Sequence, residues 1–191
     1  YFDGYYSFNF NQPSSVGASP PGGLLPLPTN QQRYYDAFAN QMTLNLAEAT
    51  IDVKTGETEF LADLDFGTLA DLNASSSTSA GGPLDTTSRN IGQAVLKYTP
   101  QNSKWSFIFG KMYSSLGLET AKPKDNDQYS RSYLFSYGIP FWHFGVGATC
   151  DLVPKNISAS LMVYNGWNSI YDNNNSKTGA LQFKFTPNGS F

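Results

Sequence analysis

The sequence lacks most of what marks a soluble enzyme or a nucleic-acid binder. It carries one cysteine and one histidine in 191 residues, which excludes a disulfide framework and a His/Cys metal cluster. Charged residues make up only 14%, and 12 Lys and Arg stand against 15 Asp and Glu. With a net charge of −3 there is no basic excess, so no nucleic-acid partner is expected. No run of eighteen apolar residues occurs, so no transmembrane helix is expected. Lys, Glu and Leu, the stock of soluble helices, are scarce. No secretory leader precedes Tyr1, which reads as a trimmed start.

Aromatic residues fill the gap. Fourteen Phe, 12 Tyr and three Trp accompany 17 Gly and 11 Pro. That is too much buriable ring for a disordered chain, and it points to an all-β domain spanning residues 1–191.

The dominant pattern has period two. In residues 1–11, Phe2, Gly4, Tyr6, Phe8 and Phe10 share one face, and Asp3, Ser7, Asn9 and Asn11 the other. In residues 58–67, Phe60, Ala62, Leu64 and Phe66 alternate with Glu59, Asp63 and Asp65. Residues 143–152, 157–164 and 180–185 alternate likewise, their apolar faces centred on Val146, Leu161 and Phe183. Residues 91–99 set Ala94, Leu96 and Tyr98 against Gln93 and Lys97, and residues 105–111 group Trp105, Phe107 and Phe109. In residues 41–53 the phase switches from Met42, Leu44 and Leu46 to Ala49, Ile51 and Val53, which predicts a β-bulge near Ala47 and Glu48. Eight strands of about eight to thirteen residues follow, a length that crosses a bilayer when tilted.

The connections sort by length. Residues 13–35, the Ser-rich link around residues 74–79, and residues 112–142 are long, and residues 166–178 are intermediate. Residues 54–57, 100–104, 153–156 and 187–189 are tight turns. A soluble sandwich or jelly roll has no reason to alternate long and short links; a transmembrane barrel does, with short turns in the periplasm and long loops outside. The fold expected is therefore an all-β, antiparallel transmembrane barrel in a bacterial outer membrane, its amino end periplasmic and its long loops extracellular. Its apolar face meets outer-membrane lipid and its polar face lines a lumen. Tyr5, Tyr6, Tyr98, Trp105, Tyr113, Trp142, Tyr164 and Trp167 fall near strand ends and fit interfacial girdles.

Chemistry is sparse. His143 has no nucleophile motif around it, and Cys150 falls on an apolar face, so no enzyme is expected. The carboxylates Asp3, Glu59, Asp63 and Asp65, opposed by Lys97, Lys111 and Lys184, read as lumen lining that sets pore selectivity. The oxygen-rich runs at residues 122–127 and 172–175 lack the spacing and downstream Glu of a calcium loop, so no metal or cofactor is expected. Residues 125–140 are expected to fold into or over the lumen as a constriction, with Lys124, Asp125, Asp127 and Arg131 in it, and Lys124 and Arg131 meeting the acidic face of residues 58–67. The Pro-rich stretch 20–28 reads as an exposed loop, and the sequons at Asn73, Asn156 and Asn188 carry no expectation of glycosylation.

Four blocks resemble a known family. They are Tyr1-Phe2-Asp3-Gly4-Tyr5-Tyr6-Ser7-Phe8-Asn9-Phe10-Asn11; residues 40–48; Lys124-Asp125-Asn126 with Tyr129-Ser130-Arg131-Ser132 and residues 135–141; and Tyr164-Asn165-Gly166-Trp167-Asn168 with Asp172-Asn173-Asn174. In this order they are similar to the putative beta-barrel porin-2 (OmpL-like) family. The resemblance implies an outer-membrane barrel with more than eight strands, of which this chain corresponds to the amino-terminal half. Residues 190–191 then read as the start of a ninth strand. The function implied is passive diffusion of small polar solutes or ions; a homo-oligomer is compatible with the sequence but not shown by it. A plugged barrel whose outer loops bind partners stands beside this reading, as does a soluble sugar-binding domain using Trp142 and Trp167.

Overall fold

The computed structural model describes residues 1–12, 30, 33–79, 86–172 and 174–186, with the backbone alone for residues 77–79. Eight strands form one sheet in sequence order: β1 (Phe2–Tyr6), β2 (Met42–Thr55), β3 (Thr58–Phe66), β4 (Ile91–Tyr98), β5 (Trp105–Tyr113), β6 (Trp142–Val153), β7 (Ile157–Tyr164) and β8 (Thr178–Phe185). Every neighbouring pair is antiparallel. Such an up-and-down order follows when each strand can fold back on its predecessor, as at the two-residue turn between Thr55 and Thr58, where Gly56 adopts φ +58°. The sheet is open: β1 and β8 are its two edges.

Strand order fixes the connections. Residues 7–41, 67–90, 114–141 and 165–177 all leave one end of the sheet, while residues 56–57, 99–104 and 154–156 turn at the other. The sorting by length expected from the sequence is thus a property of the fold.

The two faces invert the pattern of a water-soluble protein. The outer face shows large apolar side chains to the surroundings: Phe109 is 54% exposed, Leu161 60%, Leu181 65% and Phe183 67%. The inner face buries charge: Asp63 and Asp65 are each 1% exposed. A protein in water exposes its carboxylates and covers its phenylalanines. The reverse arrangement is stable where the surroundings are hydrocarbon and the strands bond each other's backbones. Cys150 lies on the outer face, between Trp105 and Ala159 of the neighbouring strands.

Several expectations are corrected. β1 stops at Tyr6 although the alternation runs on to Phe10. Asn40 takes over there, donating its backbone N–H to the Ser7 carbonyl and its side-chain amide to the Asn9 carbonyl. The phase switch in β2 occurs at Asn45, which has no register partner between Asp3–Leu46 and Gly4–Leu44, not at Ala47 and Glu48. Leu46 therefore leaves the face of Met42 and Leu44 and is fully buried. The Ser-rich link contains a helix, α1 (Thr68–Ser79), packed on β2, β3 and β4. Half of the expected girdle is interior: Tyr113 and Tyr164 point to the inner face, Tyr5 accepts from the Phe38 N–H, and Trp142 is 1% exposed. Tyr6, Tyr98, Trp105 and Trp167 are exposed. Residues 20–28, the turn at 187–189 and the expected ninth strand at 190–191 lie outside the described residues.

Candidate functional site

The inner face becomes a site because one loop lies on it. The connection 114–141 folds back over β1, β2 and β3 instead of projecting from the sheet end. Its anchor is Lys122, whose Nζ sits 2.5 Å from Glu48 Oε2 and 2.7 Å from Asp63 Oδ2. Both carboxylates are held in place by the ladder. Glu48 is registered with Asp65, and Thr50, registered with Asp63, donates to it at 2.6 Å; Gln93 of β4 donates to the other Asp63 oxygen at 2.6 Å. Burial pulls the Lys122 ammonium down, but its hydrogen bonds to Asp63 and Glu48 outweigh that and hold its pKa above the ordinary lysine value. Lys124 adds a second contact to Glu48 at 3.4 Å and lies over the Tyr1 ring.

A second anchor lies nearer the sheet end. Tyr129 donates its hydroxyl to Asp3 Oδ2 at 2.7 Å, and Asn45 donates to the same oxygen at 2.7 Å. Burial and the Asp3 carboxylate together push the Tyr129 phenol well up. Ser130 donates to Asp36 at 2.7 Å, tying the loop to the first long connection.

Arg131 does not meet β3. Its guanidinium turns back on its own loop, donating to the carbonyls of Thr120, Ala121 and Tyr129 and lying 4.6 Å from the centre of the Tyr35 ring. Burial draws its pKa below the usual arginine value. It acts as an internal brace that fixes the loop's bend, while the unforeseen Lys122 makes the contact to the acidic strand.

Under the loop sits an apolar cluster that includes Tyr35, Leu46, Leu69, Leu72, Phe135 and Trp142. Trp142 donates its indole N–H to the Asn73 carbonyl of α1 at 3.1 Å. Ser75 and Ser76 turn their hydroxyls onto the carbonyls three residues back, at 2.9 and 2.6 Å, and so bury no free hydroxyl. The helix, the residues around Tyr34 and the third long connection therefore fill the loop-side part of the inner face.

The remaining expected residues are dispersed. Glu59 and Lys97 are register partners on β3 and β4 and form a 2.9 Å ion pair near the turn end. Lys111 is buried at the other end of β5, donates to the Ser88 carbonyl and hydroxyl, and lies 4.1 Å from the Trp142 ring centre. Lys184 is exposed on β8, registered with Ser158. Asp65 accepts from the Tyr113 hydroxyl at 2.9 Å. Asp125 and Asp127 are exposed on the loop. His143 is buried, stacked on Tyr164 and bonded to the Gly166 carbonyl at 3.0 Å. Asp172 pairs with Lys177 and caps the Asn174 N–H. Among the described residues no three or more His, Cys, Asp or Glu are grouped to hold a metal ion.

A family model, putative beta-barrel porin-2, OmpL-like, matches residues 1–191, the whole chain. The chain belongs to this family. No curated protein and no solved structure matches it. In this member of the porin-2 family, the sequence blocks that carry the resemblance map onto the site: residues 1–11 and 40–48 supply Asp3, Asn45 and Glu48, and residues 124–141 supply the loop that lies against them. Lys122, just outside the quoted blocks, had as its only signal its place two residues before Lys124 in a loop with no apolar alternation.

Proposed function

We infer that this chain forms part of an outer-membrane channel for passive diffusion of small polar solutes or ions, in which connection 114–141 is the constriction. The observation that carries this is the Lys122 bridge to Glu48 and Asp63, which lays the loop along the inner wall at mid-strand level. A loop held there narrows a lumen without closing it, provided that the wall opposite is built by further strands. Open sheet edges are not tolerated in hydrocarbon, so β1 and β8 each take a strand partner in the membrane. Eight strands alone enclose little more than their own side chains, whereas about sixteen leave an aqueous passage. The amino end faces the periplasm and the long connections face outward. The protein carries out no reaction: His143 and Cys150 serve packing, and selectivity rests on Glu48, Asp63, Lys122 and the exposed Asp125 and Asp127.

Planar-bilayer recording of the purified protein tests this. Discrete ohmic current steps are expected, and a protein that folds into liposomes yet passes no current would sink the channel reading. A plugged barrel is the second reading, supported by the cluster of Tyr35, Leu69, Leu72 and Trp142 that fills the loop-side part of the inner face. It predicts membrane insertion without conductance.

A further inference from the structure

Two neighbouring cavities open beside the constriction loop, one of about 230 Å³ between residues 33–36 and 131–136, the other of about 450 Å³ along residues 118–132. Arg33, Arg131 and Ser132 line both, so they form one continuous recess. Its smaller part has an aromatic wall. Tyr34 and Tyr133 line it, and Tyr137 lies between them, 5.8 Å from Tyr34 and 6.2 Å from Tyr133 by ring centres. Tyr133 and Tyr137 are 64% and 56% exposed. Rings left this open in a loop whose other aromatics are buried serve no packing purpose.

The polar wall carries both signs. Arg33 and Asp36 are 3.5 Å apart, too far to satisfy one another fully, and the larger part adds Glu119, Asp125 and Asp127. A free anion meets an excess of carboxylates there, and a free cation meets two guanidinium groups. A hydroxyl group suits both, because it donates to the carboxylates and accepts from the guanidinium groups. The C–H face of a saturated ring suits the tyrosines.

We propose that this recess, formed by Arg33, Asp36, Tyr133 and Tyr137 beside the constriction, binds neutral sugar rings. The proposal rests on the channel reading for its role, since a weak sugar site at the narrowest point concentrates solute there. A volume of 230 Å³ displaces about seven waters at roughly 30 Å³ each, enough room for one hexose unit.

The test is equilibrium titration of the detergent-solubilised protein with glucose and with maltotriose, run beside the bilayer recordings. Saturable binding is expected, with maltotriose tighter than glucose. The doubly substituted Tyr133→Ala, Tyr137→Ala protein should bind about tenfold more weakly while its heat-modifiable migration stays unchanged. Absence of saturable binding, binding unaffected by the double substitution, or saturable binding of benzoate in place of either sugar would overturn the proposal. Current without sugar binding removes this inference and leaves the channel; sugar binding without current does the reverse.

Discussion

The Tyr113 hydroxyl donates to Asp65 Oδ2 at 2.9 Å by reaching across β4 at Gly92. A Cβ built on Gly92 would run into both the Asp65 carboxylate and the Tyr113 hydroxyl. The absence of a side chain on the middle strand thus lets the two outer strands of a three-strand unit bond over it. Gly92 is also the residue skipped in the register between Asp63–Gln93 and Leu64–Ile91.

Replacement of Gly92 by Ala is expected to break the Tyr113–Asp65 bond and cost about 1–3 kcal/mol. The urea midpoint of unfolding from lipid or detergent reads this. Tyr113→Phe, which removes the same bond without a clash, should fall by less than Gly92→Ala. Equal or greater loss in Tyr113→Phe would show that the steric explanation is wrong.

Lys122→Met should release the loop. It leaves Glu48 and Asp63 buried without their shared cation, at a cost of about 3 kcal/mol, the lower end for a broken buried pair. Single-channel conductance should rise and become noisier. Adding Glu48→Gln and Asp63→Asn to Lys122→Met should restore part of the stability but not the narrow, quiet current. A lysine that merely filled space would be replaced by Met with no change in current.

Alkaline pH should have the same effect reversibly. The folded protein holds the Lys122 proton more tightly than the unfolded chain does. Its contribution to loop docking is therefore complete below the ordinary lysine value of 10.5 and is lost as the pH rises through the higher folded value. Limited proteolysis of connection 114–141 across pH 8–12 checks this. Cleavage that accelerates already below pH 9 would point to a different titrating group.

The outer face makes a contrasting demand. Phe183→Arg places a charge among exposed apolar side chains and should cost about 2–4 kcal/mol if β8 lies at mid-membrane depth. Ser160→Arg, on the inner face beside Thr149, should be tolerated. Yield of heat-modifiable protein after folding into liposomes reads both. Equal yields would mean that the outer face does not meet lipid.

The sequence and the structure part company where period two stops being informative. Strands β3, β6, β7 and β8 were legible because one face is apolar throughout, which a lipid-facing surface requires. Helix α1 was not, because Ser75, Ser76 and Asn73 are poor helix formers that turn helical only when buried against β2 and Trp142. Trp142 and Tyr113 carry the composition of an interfacial girdle, yet each finds an interior acceptor, the Asn73 carbonyl and Asp65. The inward fold of connection 114–141 was expected from its position, but its charge pairing was not. Glu48 sits just past the phase switch of β2, so its face could not be assigned, and without Glu48 the importance of Lys122 is invisible in the sequence. The lumen role of Lys111 illustrates the same limit, since the lysine is drawn under the loops to Ser88 and Trp142.

The central claim is that connection 114–141 lines the path of diffusing solute. It is tested by placing a cysteine at the exposed Asp125 in a Cys150→Ser background and recording single-channel current while a membrane-impermeant, positively charged thiol reagent is added. The account predicts a stepwise drop in current, largest for cations, as each channel is modified. A modified protein, confirmed by intact mass, whose current stays unchanged would place the loop outside the path and contradict the account.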